Sequence, residues 1–183
     1  MKITDTLSQD HRAIEQMLAA IEVMCKNMAM GRNINVEHLR NAMEWIRDFK
    51  GGWHLTREET ILFPALASAG VKQHCTIGEI LDEHKREREQ FVYMAKAAAG
   101  LRVASSDANT TFCRYSKEYI DLIHTHIQQE EEELYPFADK LLDESKQKEI
   151  RLACQKLEEK MGKQWLTSMM DTLKQLSAAY PSK

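Results

Sequence analysis

The sequence has few of the residues that break helices or form tight turns. Its 183 residues include only 7 glycines and 3 prolines, far fewer than turn-rich β sandwiches and barrels need. The 25 basic and 28 acidic side chains nearly balance, with a formal net charge of −3, which excludes a general electrostatic attraction to nucleic acid or to an anionic membrane. The composition therefore predicts an all-α protein with neither nucleic acid nor membrane as a partner.

Long hydrophobic runs and paired cysteines are lacking as well. No stretch approaches the roughly 20 uninterrupted apolar residues of a membrane-spanning helix. The first residues, MKITDTLSQDHR, contain no apolar segment typical of a secretory signal, which predicts a cytoplasmic protein. The four cysteines form no CxxC pair, so the sequence indicates neither a zinc knuckle nor a disulfide framework.

Hydrophobic periodicity predicts four long helices. Their approximate ranges are residues 7–31, 36–64, 77–99 and 105–136. We expect Pro64 and Pro136 to end the second and fourth helices, because proline lacks an amide hydrogen and its ring clashes with the preceding turn.

Long helices with short connections predict an up-and-down four-helix bundle over residues 1–140. Residues 141–183 contain two further amphipathic stretches, divided near Gly162. We expect this extension to pack either on the bundle or on a second subunit of a homodimer, and the sequence leaves both arrangements open.

The chain contains an internal repeat. The segments HLTREETILFP (54–64) and HIQQEEEELYP (126–136) share His at the first place, Glu-Glu at the fifth and sixth, an aromatic at the tenth and Pro at the eleventh. An acid-His-base triplet precedes each segment at a similar separation, at residues 10–12 and 83–85. Each half of the chain is therefore a helix pair of the same design.

The HxxxE spacing places a histidine and a glutamate on one helix face. Residues four apart lie one turn apart, with Cβ atoms about 5–6 Å from each other, so both side chains reach the same ion. Glu58 and Glu130 are accordingly the candidate ligands. The following glutamates, Glu59 and Glu131, lie about 140° round the helix from the histidine, and we expect them to face solvent.

Two such helix pairs bring four histidines and two glutamates into one interior. These candidate ligands are His11, His54, Glu58, His84, His126 and Glu130. A buried carboxylate is costly unless it is paired or bound to a metal, so two of them facing inward need a cation. This ligand set suits two irons about 3.5–4 Å apart, and zinc or manganese fits by ligand count alone. A ferritin-type site is excluded because no ExxH motif occurs.

These motifs resemble those of the hemerythrin-like (HHE cation-binding) family over about residues 5–140. The resemblance implies a non-haem di-iron centre in which the four histidines are terminal ligands and Glu58 and Glu130 are bridges. Oxygen-carrying members have a fifth histidine from an HxxxH motif on the third helix, whereas Ile80 and Arg88 stand four residues from His84 here. The resemblance thus implies an open iron position, and the ligand set is similar to that of di-iron proteins linked to iron-sulfur repair.

The function that this resemblance implies is the binding or reaction of O₂, NO or peroxide in a stress response or in iron-centre repair. As an enzyme, the protein would be a di-iron oxidoreductase acting on NO or peroxide. The alternatives are an iron or oxygen sensor that signals through its C-terminal helices, an oxygen-binding protein, and a structural metal bundle. Glu15 and Arg88, each four residues beyond a ligand histidine, are candidates for orienting the imidazoles or gating the site. Surface or inter-helix ion pairing is the favoured interpretation of both residues.

Overall fold

The protein is all helical in a computed structural model, which describes residues 2–70, 75–102 and 106–181. Those residues form six continuous helical segments and no strand, which confirms the predicted fold class. The α-helices are α1 (Ile3–Ala29), α2 (Val36–Trp45), α3 (Leu55–Arg57), α4 (Phe63–Ser68), α5 (Cys75–Ala99), α6 (Ser106–Gln129), α7 (Tyr135–Leu141), α8 (Glu144–Met161) and α9 (Lys163–Ala179). A 3₁₀ turn, Gly100–Arg102, follows α5.

Three π-helical stretches join neighbouring α-helices into longer segments. They are Ile46–His54 between α2 and α3, Glu58–Leu62 between α3 and α4, and Glu130–Leu134 between α6 and α7. The four bundle segments are thus α1, residues 36–68, α5 and residues 106–141, with α6 packed against both α1 and α5. In the described parts of the chain, no helix combines the length and the apolar character needed to cross a lipid bilayer.

Neither proline ends its helix, so this prediction is wrong. Pro64 and Pro136 lie in the first turns of α4 and α7, each directly after a π-helical turn. Within these turns the amide of Phe63 donates to the carbonyl of Glu58, and the amide of Tyr135 to that of Glu130, five residues back. The wider turn shifts the hydrogen-bond pattern just ahead of each proline, so the helix continues past a residue that has no amide hydrogen.

Two apolar clusters lie on either side of a polar layer in the bundle. On α1, Leu7 belongs to one cluster and Ile14 to the other, and His11 lies between them. The same order holds along the second segment, where Phe49 and Leu62 belong to different clusters and His54 lies between them. The histidines are therefore held at the level where the two apolar clusters meet, away from bulk water.

The C-terminal helix α9 packs on the bundle against α1 and α2. Its Leu173 and Leu176 are buried in the larger apolar cluster, and the Trp45 indole N–H donates to the Met169 carbonyl at 2.9 Å. Gly162 separates α8 from α9 with a φ of 87°, a left-handed conformation that favours glycine. The extension thus completes the hydrophobic core of this chain.

Candidate metal centre

The structure brings all six predicted ligands together in the polar layer. Their nitrogen and oxygen atoms form two groups that share both carboxylates, and the atoms within a group all lie within 4.8 Å of one another. The His11–His54 end contains those two histidines, and the His84–His126 end contains the other two. All six side chains are at most 2% exposed.

Glu58 and Glu130 stand between the two histidine pairs. Glu58 Oε2 lies 3.6 Å from His54 Nε2 and 3.5 Å from His84 Nε2. Glu130 Oε2 lies 3.1 Å from His11 Nε2 and 3.4 Å from His126 Nε2. Each carboxylate therefore faces one histidine of each end, which is the arrangement needed for a carboxylate to bridge two ions.

Several converging atoms of this cluster have no hydrogen-bond partner. Among the residues that the structure describes, Glu58 Oε2, Glu130 Oε1, His84 Nε2 and His126 Nε2 are buried without a hydrogen bond. A buried polar atom left unpaired costs about 1–3 kcal/mol. Imidazole nitrogens and carboxylate oxygens that point at one another across a dry interior are suitable ligands for a transition metal, so the residues fit a metal centre.

The two buried carboxylates differ in their pKa values. Burial and the nearby charge of Glu130 raise the pKa of Glu58 well above its usual range. Burial also opposes ionisation of Glu130, but His126 and His11 outweigh it and hold the pKa of Glu130 low. Two carboxylates this close do not both stay charged unless cationic partners neutralise them, and bound metal ions would supply that charge.

Burial keeps two of the histidines neutral. It lowers the pKa of His54 well below the usual value and that of His84 to about 4. Burial also acts to lower the pKa values of His11 and His126. The negative charge of Glu130, together with Glu131 beside His11 and with Glu83 and Glu87 beside His126, outweighs burial and raises both pKa values. The neutral imidazoles of His54 and His84 are in the form that binds metals, and any proton on His11 or His126 must leave before that ring can bind one.

An acidic side chain holds the outer nitrogen of each histidine. The Nδ1-to-carboxylate distances are 2.6 Å for His11 with Glu131, 3.4 Å for His54 with Asp10, 2.7 Å for His84 with Glu59, and 2.9 Å for His126 with Glu83. A carboxylate at Nδ1 fixes the tautomer and turns Nε2 toward the ion. The four acids thus orient all four imidazoles toward the centre.

The prediction that Glu59 and Glu131 face solvent is therefore wrong. Each is partly buried and points at a histidine on a different helix, in the other half of the chain. Asp10 and Glu83, by contrast, bind the second histidine of their own half. For Asp10 and Glu83, the signal in the sequence was their shared position, directly before the histidine in both triplets.

Arg88 and Glu15 were the two candidates for orienting residues, with ion pairing as the favoured interpretation. The Arg88 guanidinium donates to Glu59 Oε1 at 2.5 Å, so it reaches His84 through that carboxylate. Glu15 is exposed on α1. Of the two candidates, the structure thus connects Arg88 to the centre.

Two buried cations beside the centre were not predicted. Arg57, next to Glu58 in the chain, pairs with Asp10. Lys50 pairs with Glu87, whose other oxygen lies 3.6 Å from His126 Nδ1. Lys50 occupies the apolar face of its helix, four residues before His54, and that placement was the available signal.

The aromatic residue at the tenth place of each repeat stacks on a ligand histidine. The Tyr135 ring lies 5.3 Å from the His11 ring, and the Phe63 ring lies 5.9 Å from the His84 ring. The Tyr135 hydroxyl is 2.7 Å from Glu58 Oε1, 3.3 Å from His11 Nε2 and 3.4 Å from Glu130 Oε2. The repeat therefore places a hydroxyl at one end of the centre and a hydrocarbon ring at the other.

Comparison with known protein families matches the bundle. The family model described as Hemerythrin HHE cation binding domain matches residues 2–138, which include all six clustered ligands. Helices α8 and α9 lie outside the match. Neither the curated proteins nor the solved structures that were compared gave a match.

Proposed function

Since the chain belongs to the hemerythrin HHE cation-binding family and is thus a metal-binding protein, we propose that it holds two iron ions and binds or reacts with O₂, NO or peroxide. The observation that supports this most directly is the set of buried, unpartnered ligand atoms that converge between four helices. A stress response or the repair of iron centres is the setting that such chemistry serves.

His11 and His54 would hold one ion, and His84 and His126 would hold the other. Glu58 and Glu130, which face one histidine of each end, would be shared by the two ions. Two irons held by these residues would supply redox chemistry toward a small ligand. The acids at the outer nitrogens hold the imidazoles in place, and the apolar clusters on both sides exclude water.

In the described part of the chain, the third helix supplies no ligand atom besides His84. Ile80, four residues before His84, is fully buried and offers no ligand atom. Arg88, four residues after it, is directed to Glu59. Neither residue takes the place of a fifth histidine, which supports reactivity with small ligands over reversible oxygen storage.

Metal content tests the two-iron assignment. We expect two irons per chain in the purified protein, and we expect none in the double variant His54→Ala/His126→Ala, measured by elemental analysis. His124→Ala is the matched control, because His124 lies on the same helix as His126 but is exposed. Far-ultraviolet circular dichroism checks that the helices remain. One iron or none in the wild type would contradict the assignment.

Small-ligand binding is tested separately on the iron-loaded protein. We expect mixing of the reduced protein with O₂ or NO to produce a new absorption spectrum, since the third helix supplies no further ligand. Two irons with an unchanged spectrum would favour a purely structural metal bundle.

A sensor is the second candidate function, because charged residues beside the centre line a cavity together with residues of the C-terminal helices. Asp10, beside the His54 ring, pairs with Arg57. These two residues line a cavity of about 280 Å³ together with Glu158 of α8 and Leu166 of α9. A change at His54 therefore has a short route to α8 and α9. Limited proteolysis of residues 138–183 tests this, and identical cleavage of metal-free, reduced and oxidised protein would exclude a sensor.

A further inference from the structure

The two ends of the centre carry the same ligands and the same kind of outer acids, but they differ by one hydroxyl. Tyr135 at the His11–His54 end corresponds in the repeat to Phe63 at the His84–His126 end. The unpartnered histidine nitrogens in the described cluster, His84 Nε2 and His126 Nε2, both belong to the end that lacks the hydroxyl. One end is therefore supplied with an extra oxygen, and the other is not.

The Tyr135 oxygen lies where a further ligand of one ion would lie. Two atoms bound at right angles about 2.1 Å from the same ion are about 3.0 Å from each other. The hydroxyl donates a hydrogen bond to Glu58 Oε1 at 2.7 Å and lies 3.3 Å from His11 Nε2 and 3.4 Å from Glu130 Oε2. These distances are close to the edges of a coordination polyhedron, and Tyr135 is itself buried, with 3% of its surface exposed.

Burial and ring packing restrict the position of this oxygen. The Tyr135 side chain is buried, and its ring lies nearly parallel to the His11 ring, with an angle of 6° between the two planes. The helix also restricts it, because Tyr135 begins α7 directly after the π-helical turn that opens at Glu130. The hydroxyl is thus positioned by the same turn that positions a bridging glutamate.

Building on the two-iron proposal, we propose that the Tyr135 oxygen occupies a coordination position at the His11–His54 end, so that a small exogenous ligand binds only at the His84–His126 end. The hydroxyl proton of Tyr135 is released to solvent when the metal binds. Tyr135 then determines which of the two ions reacts. Phe63 stacks on His84 in a comparable pose but carries no polar atom, so the corresponding position at its end stays free for O₂, NO or peroxide.

Exchanging the two aromatic residues tests this inference. The variants are Tyr135→Phe, Phe63→Tyr and the double exchange, each of which adds or removes a single oxygen. Every protein is loaded with ferrous iron, its metal content is measured, and it is titrated with NO while bound NO is counted by absorption and electron paramagnetic resonance spectroscopy. Circular dichroism and urea unfolding check that each variant is folded.

We expect the wild type to bind one NO per pair of irons and Tyr135→Phe to bind two. Phe63→Tyr should lose at least 10-fold in NO affinity, because its new hydroxyl would lie beside the unpartnered nitrogens of the His84–His126 end. The double exchange should return the count to one. With two irons present, a wild type that binds none or two, or a Tyr135→Phe variant that stays at one, overturns the inference. Failure to hold two irons would instead contradict the proposed function.

Discussion

The two halves of the chain place the same ligands around the centre but surround them with different neighbours. At equivalent positions of the two half-repeats, Lys50 corresponds to Leu122, Glu87 to Ile14, Arg57 to Gln129 and Phe63 to Tyr135. The six clustered side chains and their outer acids are the part that the proposed pair of metal ions would constrain from both sides. The neighbours are not constrained in this way, and their divergence makes the two ends of the centre unequal.

The buried ion pair shows this difference most clearly. Lys50 and Glu87 are 2% and 1% exposed, yet the equivalent positions in the other half, Leu122 and Ile14, are apolar. A buried ion pair gains little over apolar residues of similar volume, because removing two charges from water offsets most of their attraction. The fold therefore does not need this pair for stability, but once present each partner depends on the other.

The largest expected effect is on stability, when one partner of this pair is removed. Lys50→Leu leaves Glu87 buried without its cation and should lower the free energy of unfolding of the metal-free protein by about 3–5 kcal/mol. Lys50→Leu/Glu87→Ile copies the apolar residues of the other half and should regain most of that loss. Urea unfolding followed by circular dichroism measures both variants. A double variant as unstable as the single one would show that the two halves are not interchangeable here.

A smaller effect is expected when an outer acid is neutralised. Glu59→Gln and Glu131→Gln each remove the carboxylate at the Nδ1 of a ligand histidine, and each should weaken metal binding about 10- to 100-fold. Competition with a chelator measures the affinity, and Glu133→Gln, on the exposed side of the same π-helical turn as Glu131, is the matched control. If only one of these two variants lost metal affinity, the two halves would orient their imidazoles differently.

Much of the fold and the convergence of the candidate ligands could be predicted because both rest on local patterns. Helical periodicity fixed the four bundle segments, and the HxxxE spacing placed His54 with Glu58 and His126 with Glu130 on one face. The duplication then required the two faces to meet. The six side chains consequently lie together as predicted.

The features that were missed depend on contacts between helices. The angle between Glu59 and His54 on one helix shows that they diverge, but not that the next helix brings His84 to Glu59. The π-helical turns are likewise set by the packed bundle, and they carry the chain past Pro64 and Pro136. Neither kind of contact leaves a periodic signal in the sequence.

The smallest expected effect concerns the second partner of each outer acid. Glu59 is held by Arg88 at 2.5 Å, whereas Glu131 accepts a hydrogen bond from Ser8 at 2.9 Å. The Arg88 side chain is 47% exposed, and exposed ion pairs contribute only about 0.2–1 kcal/mol, so Arg88→Gln should weaken metal binding by roughly 1.5- to 5-fold. Ser8→Ala is the matched change at the other end. Chelator competition at two salt concentrations measures the metal affinity of both variants and distinguishes the charged contact from the neutral one.

Salt should reduce the effect of Arg88→Gln and leave that of Ser8→Ala unchanged, because only the charged contact is screened. If Arg88→Gln instead lost as much affinity as Glu59→Gln, the guanidinium rather than the histidine would be holding the carboxylate in place. The His84–His126 end would then depend on a surface charge for its geometry, while the His11–His54 end, supported by a neutral hydroxyl, would not.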